Sequence, residues 1–334
     1  MLRLILSRMW QGLVVLLIVS ALTFALLATA GGDAFTALRG DPSITEETIE
    51  RLRRVYGLDQ PLVVRYARWL GGIARGDMGY SFFYQVPVAS LLRARLVNTL
   101  WLAAVALLLA GGVSLALGAW AARRAGSWVD RLCELVIVVA ASTPRLVLAL
   151  LALVFAAQTS LFAVNAPSSA QAALAATSLA RLLLSASVLC VPLLALFLAQ
   201  TREGVGAALA EDFVRVARSK GLPERVVVLR HALRAALNPL ITIFGYSIGF
   251  TISGSVIVET VLNWPGLGQL SVVAVRSRDV PLLMGVVLVT ASAVLAGNLL
   301  ADIALRANDP RLRRTGARPD TLALRAATEA SAPS

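Results

Sequence analysis

Six stretches of the chain run for about 20 residues or more with scarcely a charge, which is the length a helix needs to cross a bilayer core of about 30 Å. They are Met9–Ala30, Thr99–Ala122, Leu132–Ala157, Leu182–Gln200, Pro239–Val258 and Pro281–Leu305. Runs of this length are not the alternating ten-residue strands of a barrel, and backbone polar groups cannot go unpaired in lipid. The pattern predicts an all-α polytopic membrane protein with six transmembrane helices.

The first stretch invites a second reading. Arg3 and Arg8, an apolar core and Ala28-Thr29-Ala30 resemble a signal peptide with a small-residue cleavage site. The apolar core is longer than a usual signal core and five more spans follow, so the segment is kept as a helix.

Composition sharpens the class. The 334 residues are 58% hydrophobic and 15% charged, with a mean hydropathy of +0.77. Soluble domains carry about a quarter charged residues. The net charge of +12 does not point to nucleic acid, because the arginines flank apolar stretches. Cys133 and Cys190 are the only cysteines and His231 the only histidine, which leaves no disulfide framework and no His-based metal site.

Lysine and arginine placement predicts orientation. Arg3 and Arg8, then Arg123, Arg124 and Arg131, then seven basic residues between Thr201 and Asn238, then the tail all fall on one side. The connection from Gln158 to Ala180 has none, and that from Glu259 to Val280 has only Arg276 and Arg278. By the positive-inside rule both termini are cytoplasmic.

The segments between spans are informative. Residues 31–98 form a long outer loop. Within it, Glu46–Tyr56 places acidic residues first and arginines last, in the order that suits a helix dipole, with Thr45 as N-cap. A second amphipathic stretch begins at Pro61 and Leu62 and runs to about Ala74, with Trp69 expected at the membrane interface. This loop reads equally as a helical cap or as a docking face. The cytoplasmic segment 201–238 is split by Gly221-Leu222-Pro223. Glu211–Lys220 predicts a short helix ending at Gly221 as C-cap, and Arg225–Leu237 a second helix leading into the next span. Apolar Phe213, Val214, Val216 and Ala217 stand among charges there, a pattern that suits a protein partner. The tail 309–334 lacks periodicity and is expected to be disordered.

Ionisable residues are nearly absent from the spans. Glu134 and Asp302 fall near cytoplasmic ends, and Arg181 opens the fourth span. Arg145, directly after Pro144, falls near mid-depth. A lipid-facing arginine there costs at least about 2.5–3.5 kcal/mol, so Arg145 is expected to face the translocation cavity and hold an anionic group such as a peptide carboxylate. The structural alternative is capping of carbonyls freed by Pro144, or pairing with a partner chain. No acidic relay, nucleophile–base pair or phosphate loop is visible, which disfavours a coupled carrier and an intramembrane enzyme.

Several strings then fall into place together: Gly57-Leu58-Asp59-Gln60-Pro61-Leu62, Gly76-Asp77-Met78-Gly79-Tyr80-Ser81, Val258 through Gly268 (with Glu259, Asn263, Trp264, Pro265 and Gly266), and Asp309-Pro310-Arg311-Leu312-Arg313. From Met1 to about Gly316 the chain resembles the permease subunits of bacterial ABC importers for dipeptides, oligopeptides and nickel. Residues 212–222, Asp212-Phe213-Val214-Arg215-Val216-Ala217-Arg218-Ser219-Lys220-Gly221-Leu222, resemble that family's ATPase-contacting coupling helix and its glycine. Arg215-Val216-Ala217 stands where many importers read Glu-Ala-Ala. Arg230 through Pro239 is similar to the peptide-type version. The chain departs from the family at Arg145, where a small polar residue is usual, and at Ser185, where a proline is usual.

The resemblance implies a type I ABC importer permease fold, with a transmembrane core over residues 99–308. It implies a non-catalytic pore-forming subunit for peptides, paired with a related second permease. Two cytoplasmic ATPases would bind the ATP and Mg, an external solute-binding protein would deliver substrate, and this chain itself would bind no cofactor. The loop after the fifth span (Glu259, Asn263, Trp264, Pro265, Gly266, Gly268) is expected to touch the binding protein or gate entry, Trp264 being alternatively a lipid-interface anchor. Nickel chelates or another small solute remain as alternative cargo, and an autonomous channel or carrier as the alternative class.

Overall fold

Long apolar runs rich in leucine, alanine and valine have no lower-energy option in lipid than to close every backbone hydrogen bond within a helix. In the computed structural model, which describes residues 2–29, 45–55, 57, 59–159 and 176–308, they do so. The spans are α1 (Leu2–Thr29), α4 (Val88–Arg123), α5 (Trp128–Ser142) with α6 (Arg145–Thr159), α7 (Ala176–Ala210), α10 (Leu233–Val261) and α12 (Val280–Asn308). Shorter helices α2 (Glu46–Val55), α3 (Leu62–Ala74), α8 (Asp212–Ser219), α9 (Glu224–Val226) and α11 (Leu267–Arg276) lie between them. Among the described residues five helices are each long and apolar enough to cross a membrane, and the bent pair α5–α6 brings the number to six when it is counted as one broken span.

That break corrects the continuous helix expected over Leu132–Ala157. Pro144 has no N–H to donate and disfavours helical backbone at the residue before it, although Pro192 and Pro239 are carried inside α7 and α10. Thr143 accordingly sits at φ −87°, ψ 119°, and the two halves are bent by 99°. The helix expected over Arg225–Leu237 does lead into the next span. From Pro223 the chain passes through α9 and a π-helical stretch, Val227–Ala232, straight into α10.

The core lies between α4 and α7. Leu102, Ala106, Leu107 and Ala110 of α4 pack on Ala186, Leu189, Leu193 and Phe197 of α7, with Ala149 of α6 and Trp264 completing the cluster. Small residues permit close approach, as membrane helices require. A Cβ at Gly118 would lie 2.7 Å from the Thr201 side chain, and one at Gly249 would lie 2.9 Å from that of Val294 of α12. Ionic ties close one end of the bundle: Arg8 of α1 to Asp302 of α12 at 2.7 Å, and Arg202 of α7 to Asp130 and Glu134 of α5.

Outside the spans, Thr45 Oγ1 accepts the Thr48 N–H at 3.4 Å at the start of α2. The next helix, α3, docks on α1 through a hydrogen bond between Ser20 and Tyr66 hydroxyls of 2.8 Å and a Phe24–Tyr66 ring contact of 5.5 Å. Trp69 stacks on Tyr66, so its ring is held within this cap. The expectations for 160–175 and for the tail lie outside the described residues.

Candidate functional site

At the end of the bundle that carries residues 201–238, the chain leaves α7 and turns at Glu211 into α8. Helical spacing divides its four apolar residues. Val214 and Ala217, three apart, point inward onto Val227 and Leu209. Phe213 and Val216 point outward, 44% and 53% exposed. Of the four apolar residues expected to suit a partner, Phe213 and Val216 are the two left outward, Val214 and Ala217 being taken up by the chain's own packing.

Charges border the outward pair. Arg215 meets Asp212 at 2.9 Å, and Arg218 grips both carboxylate oxygens of Glu224 at 2.8 and 3.2 Å. The guanidinium holds the Glu224 carboxyl below the usual carboxylate range, and Glu224 in turn raises Arg218. Lys220 closes α8, exposed, with its N–H on the Val216 carbonyl. Gly221 follows at φ +74°. A Cβ there would meet nothing within 4 Å, so backbone conformation alone calls for glycine.

The opposite end is built differently. Glu259, two residues before the end of α10, is 0% exposed. Its Oε1 accepts the hydroxyls of Thr99 at 2.8 Å and Ser255 at 2.9 Å. Its Oε2 accepts the Gly268 N–H at 2.6 Å and the Gln269 N–H at 3.1 Å. Thr99 Oγ1 takes the Leu267 N–H at 2.8 Å. The first-turn donors of α11, which a helix leaves without internal partners, are therefore satisfied by α4 and α10, and a carboxylate sits where the helix dipole favours it. Gly266 and Gly268 are required by close approach. A Cβ at Gly266 would collide with the Glu259 carboxylate, and one at Gly268 would lie 2.5 Å from Val256 Cα.

Trp264 is 8% exposed within the core cluster. Its indole N–H donates to the Asn98 carbonyl at 3.3 Å while Asn98 Nδ2 donates to the Pro265 carbonyl at 2.8 Å. Of the loop expected to touch the binding protein or gate entry, the side chains of Glu259 and Trp264 lie inside the chain's own core. Asn263, at φ +51°, and Pro265 remain exposed.

A second buried carboxylate, Asp279, was not singled out from the sequence. Oδ1 caps α12 by accepting the Leu282 N–H at 3.1 Å. Oδ2 accepts the Ser81 hydroxyl at 2.6 Å and the Phe83 N–H at 3.0 Å, pinning the turn before α4. Its place just before Val280-Pro281 is an N-cap signal that sequence alone carries.

Pro144 and Arg145 stand at the α5–α6 break, Arg145 being the first residue of α6. Its guanidinium lies over the Phe250 ring, Cζ 3.8 Å from the centroid, and occupies the space that a Cβ at Gly254 would need. Phe250 and Gly254, both on α10, had no signal in the sequence.

A bundle of five or six apolar spans with a short helix at one end, apolar on its outward face, and a carboxylate-locked loop at the other has the make-up of a membrane transport subunit. A family model for the N-terminal part of binding-protein-dependent transport system membrane components matches residues 1–103. One described as binding-protein-dependent transport system inner membrane component matches residues 114–314. The chain belongs to this family, and with it to the multi-pass inner-membrane proteins. Curated relatives include a putative peptide permease protein of Brucella suis biovar 1, 35% identical over 94% of this chain and 100% of its own length. The oligopeptide transport system permease protein AppB of Bacillus subtilis is 35% identical over 92% of this chain and 98% of its own. The probable peptide ABC transporter permease protein y4tP of Sinorhizobium fredii is 34% identical over the same shares.

Proposed function

We propose that the chain is the pore-forming permease subunit of an ATP-driven peptide importer, with α8 as its contact to an ATPase. The observation that carries the coupling role is the outward pair Phe213 and Val216 on a helix whose other face is anchored in the bundle. A rod fixed at one side and apolar at the other transmits a push into the spans. Peptide cargo rests on the printed names of the relatives. We assign the arginine-rich end that carries α8 to the cytoplasmic side, with both termini, on the positive-inside rule.

In this reading the subunit performs no chemistry of its own. ATP and Mg are held by two partner ATPases, a related second permease completes the pore, and an external solute-binding protein delivers the peptide. Exposed Asn263 and Pro265 are the part of the outer loop left for contact with that protein. The buried acids do not favour a proton-coupled carrier, because Glu259 and Asp279 are each committed to fixed donors at a helix N-terminus.

The test is reconstitution in proteoliposomes with the partner ATPases, the second permease and the binding protein. Peptide uptake that requires ATP is expected, and Phe213→Ala is expected to leave the complex inserted while severing substrate-stimulated hydrolysis from uptake. Normal stimulated hydrolysis and uptake in that variant, or uptake independent of ATP, overturns the reading.

A further inference from the structure

Among the described residues nothing answers the charge of Arg145. Phe250, the ring beneath it, stands about midway along the 23-residue apolar stretch Pro239–Val261, so the guanidinium sits near mid-depth of the membrane. Among the described residues no carboxylate lies within ion-pair distance of it. Its position as first residue of α6 adds to the imbalance, because the positive end of a helix dipole disfavours a cation. Thr143, the neighbouring hydroxyl, is spent on the Val139 carbonyl of α5 at 2.7 Å. The Phe250 face attracts the guanidinium but carries no charge to neutralise it.

The seat is nonetheless specific. Gly254 admits the guanidinium against the α10 backbone where any larger residue would displace it. Phe250, 51% exposed, keeps one side of the planar group in place. Arginine in such a seat presents its remaining N–H donors as a rigid fork, the geometry that matches a carboxylate bidentately. Charged groups at this depth face protein or a water-filled passage, not lipid.

We propose that Arg145, seated on Phe250 and Gly254, is an anchor at mid-membrane for the terminal carboxylate of the passing peptide, and so a specificity-determining residue of the pathway. This rests on the peptide-importer reading above. The anchor discriminates a free C-terminus from an amidated one, and it is indifferent to the peptide's amino end.

The experiment uses the reconstituted complex and one peptide in two forms, free acid and C-terminal amide, chosen so that the binding protein captures both. The acid-to-amide uptake ratio is compared between the unaltered protein and its variants, so the binding protein's own preference cancels. In Arg145→Gln the ratio is expected to fall about tenfold or more, the worth of a charged hydrogen-bonded pair, through lost acid uptake. Arg145→Lys keeps the charge without the fork and is expected to fall between. Gly254→Ala keeps the arginine but displaces it, and is expected to lower the ratio as well. An unchanged ratio in Arg145→Gln, with both forms reduced together, assigns Arg145 to a structural contact or to a carboxylate of the second permease and overturns the proposal. Should Arg145→Gln not assemble, an unaltered ratio in both Arg145→Lys and Gly254→Ala overturns it equally. Absence of ATP-dependent uptake of either form by the unaltered complex would instead refute the importer reading itself.

Discussion

The two ends of the bundle each carry a short helix between spans, and they are held by opposite means. At one end, α8 is anchored by two small apolar residues, while its charges pair at the surface, Arg215 with Asp212 and Arg218 with Glu224. At the other, α11 is anchored by a fully buried carboxylate and a threonine on two different spans. Surface pairs are screened and worth little, whereas a buried acceptor cannot be lost without leaving its donors unpaired. The contrast implies that the α11 end is a fixed corner, and that α8 has a face free for exchange with a partner.

Removing the buried acceptor is the hardest test of that contrast. Glu259→Ala leaves two N–H groups and the Thr99 hydroxyl without an acceptor, Ser255 keeping the Ile252 carbonyl, at about 1–3 kcal/mol for each buried group. The melting temperature of the purified protein is expected to fall by roughly 5–10 °C. An unaltered melt would mean the corner is not fixed by Glu259.

Gly268→Ala approaches the same corner by volume. Its Cβ would press on the α10 backbone at Val256, an overpacking worth about 1–3 kcal/mol. A smaller fall in melting temperature is expected, with no gain of stability in any buffer.

At the other end, Gly221→Val places a β-branched residue at φ +74°, costing about 1–2 kcal/mol. Limited proteolysis is expected to cut the 211–224 loop faster, while Gly221→Asn, which tolerates left-handed backbone, stays near the unaltered rate. Equal rates in Val and Asn variants would show that the turn is not held at positive φ.

The smallest effect belongs to Arg218 and Glu224. The native Glu224 carboxyl is held below its ordinary value, so the pair contributes fully above the ordinary carboxylate range and is lost as pH falls through the native value. Both side chains are about half exposed. Proteolysis of this loop is expected to quicken slightly on acidification, and Glu224→Gln to remove that pH dependence.

Much of this molecule is legible in the order of its residues. The apolar runs determine where helices cross, because lipid leaves the backbone no alternative. Pro144 marks where the third span can break, but Pro192 and Pro239 lie inside α7 and α10, so the sequence alone does not decide which proline breaks its helix. Gly221 determines the end of α8, and the family strings determine the class of protein. Tertiary structure decided the rest. Thr99 and Glu259 lie 160 positions apart, and nothing local to Glu259 says that it faces the N-terminus of α11 instead of an outside partner. Trp264 reads as a contact for the binding protein, or alternatively as an interface anchor, until Asn98 is brought beside it. Arg145 reads as a lone charge in an apolar span, and only the 99° bend between α5 and α6 and the bare backbone at Gly254 reveal its seat. Spans are chosen by each segment's own transfer into lipid, a local quantity. Which polar groups meet depends on how the spans pack, and that is set by contacts the chain makes far from itself.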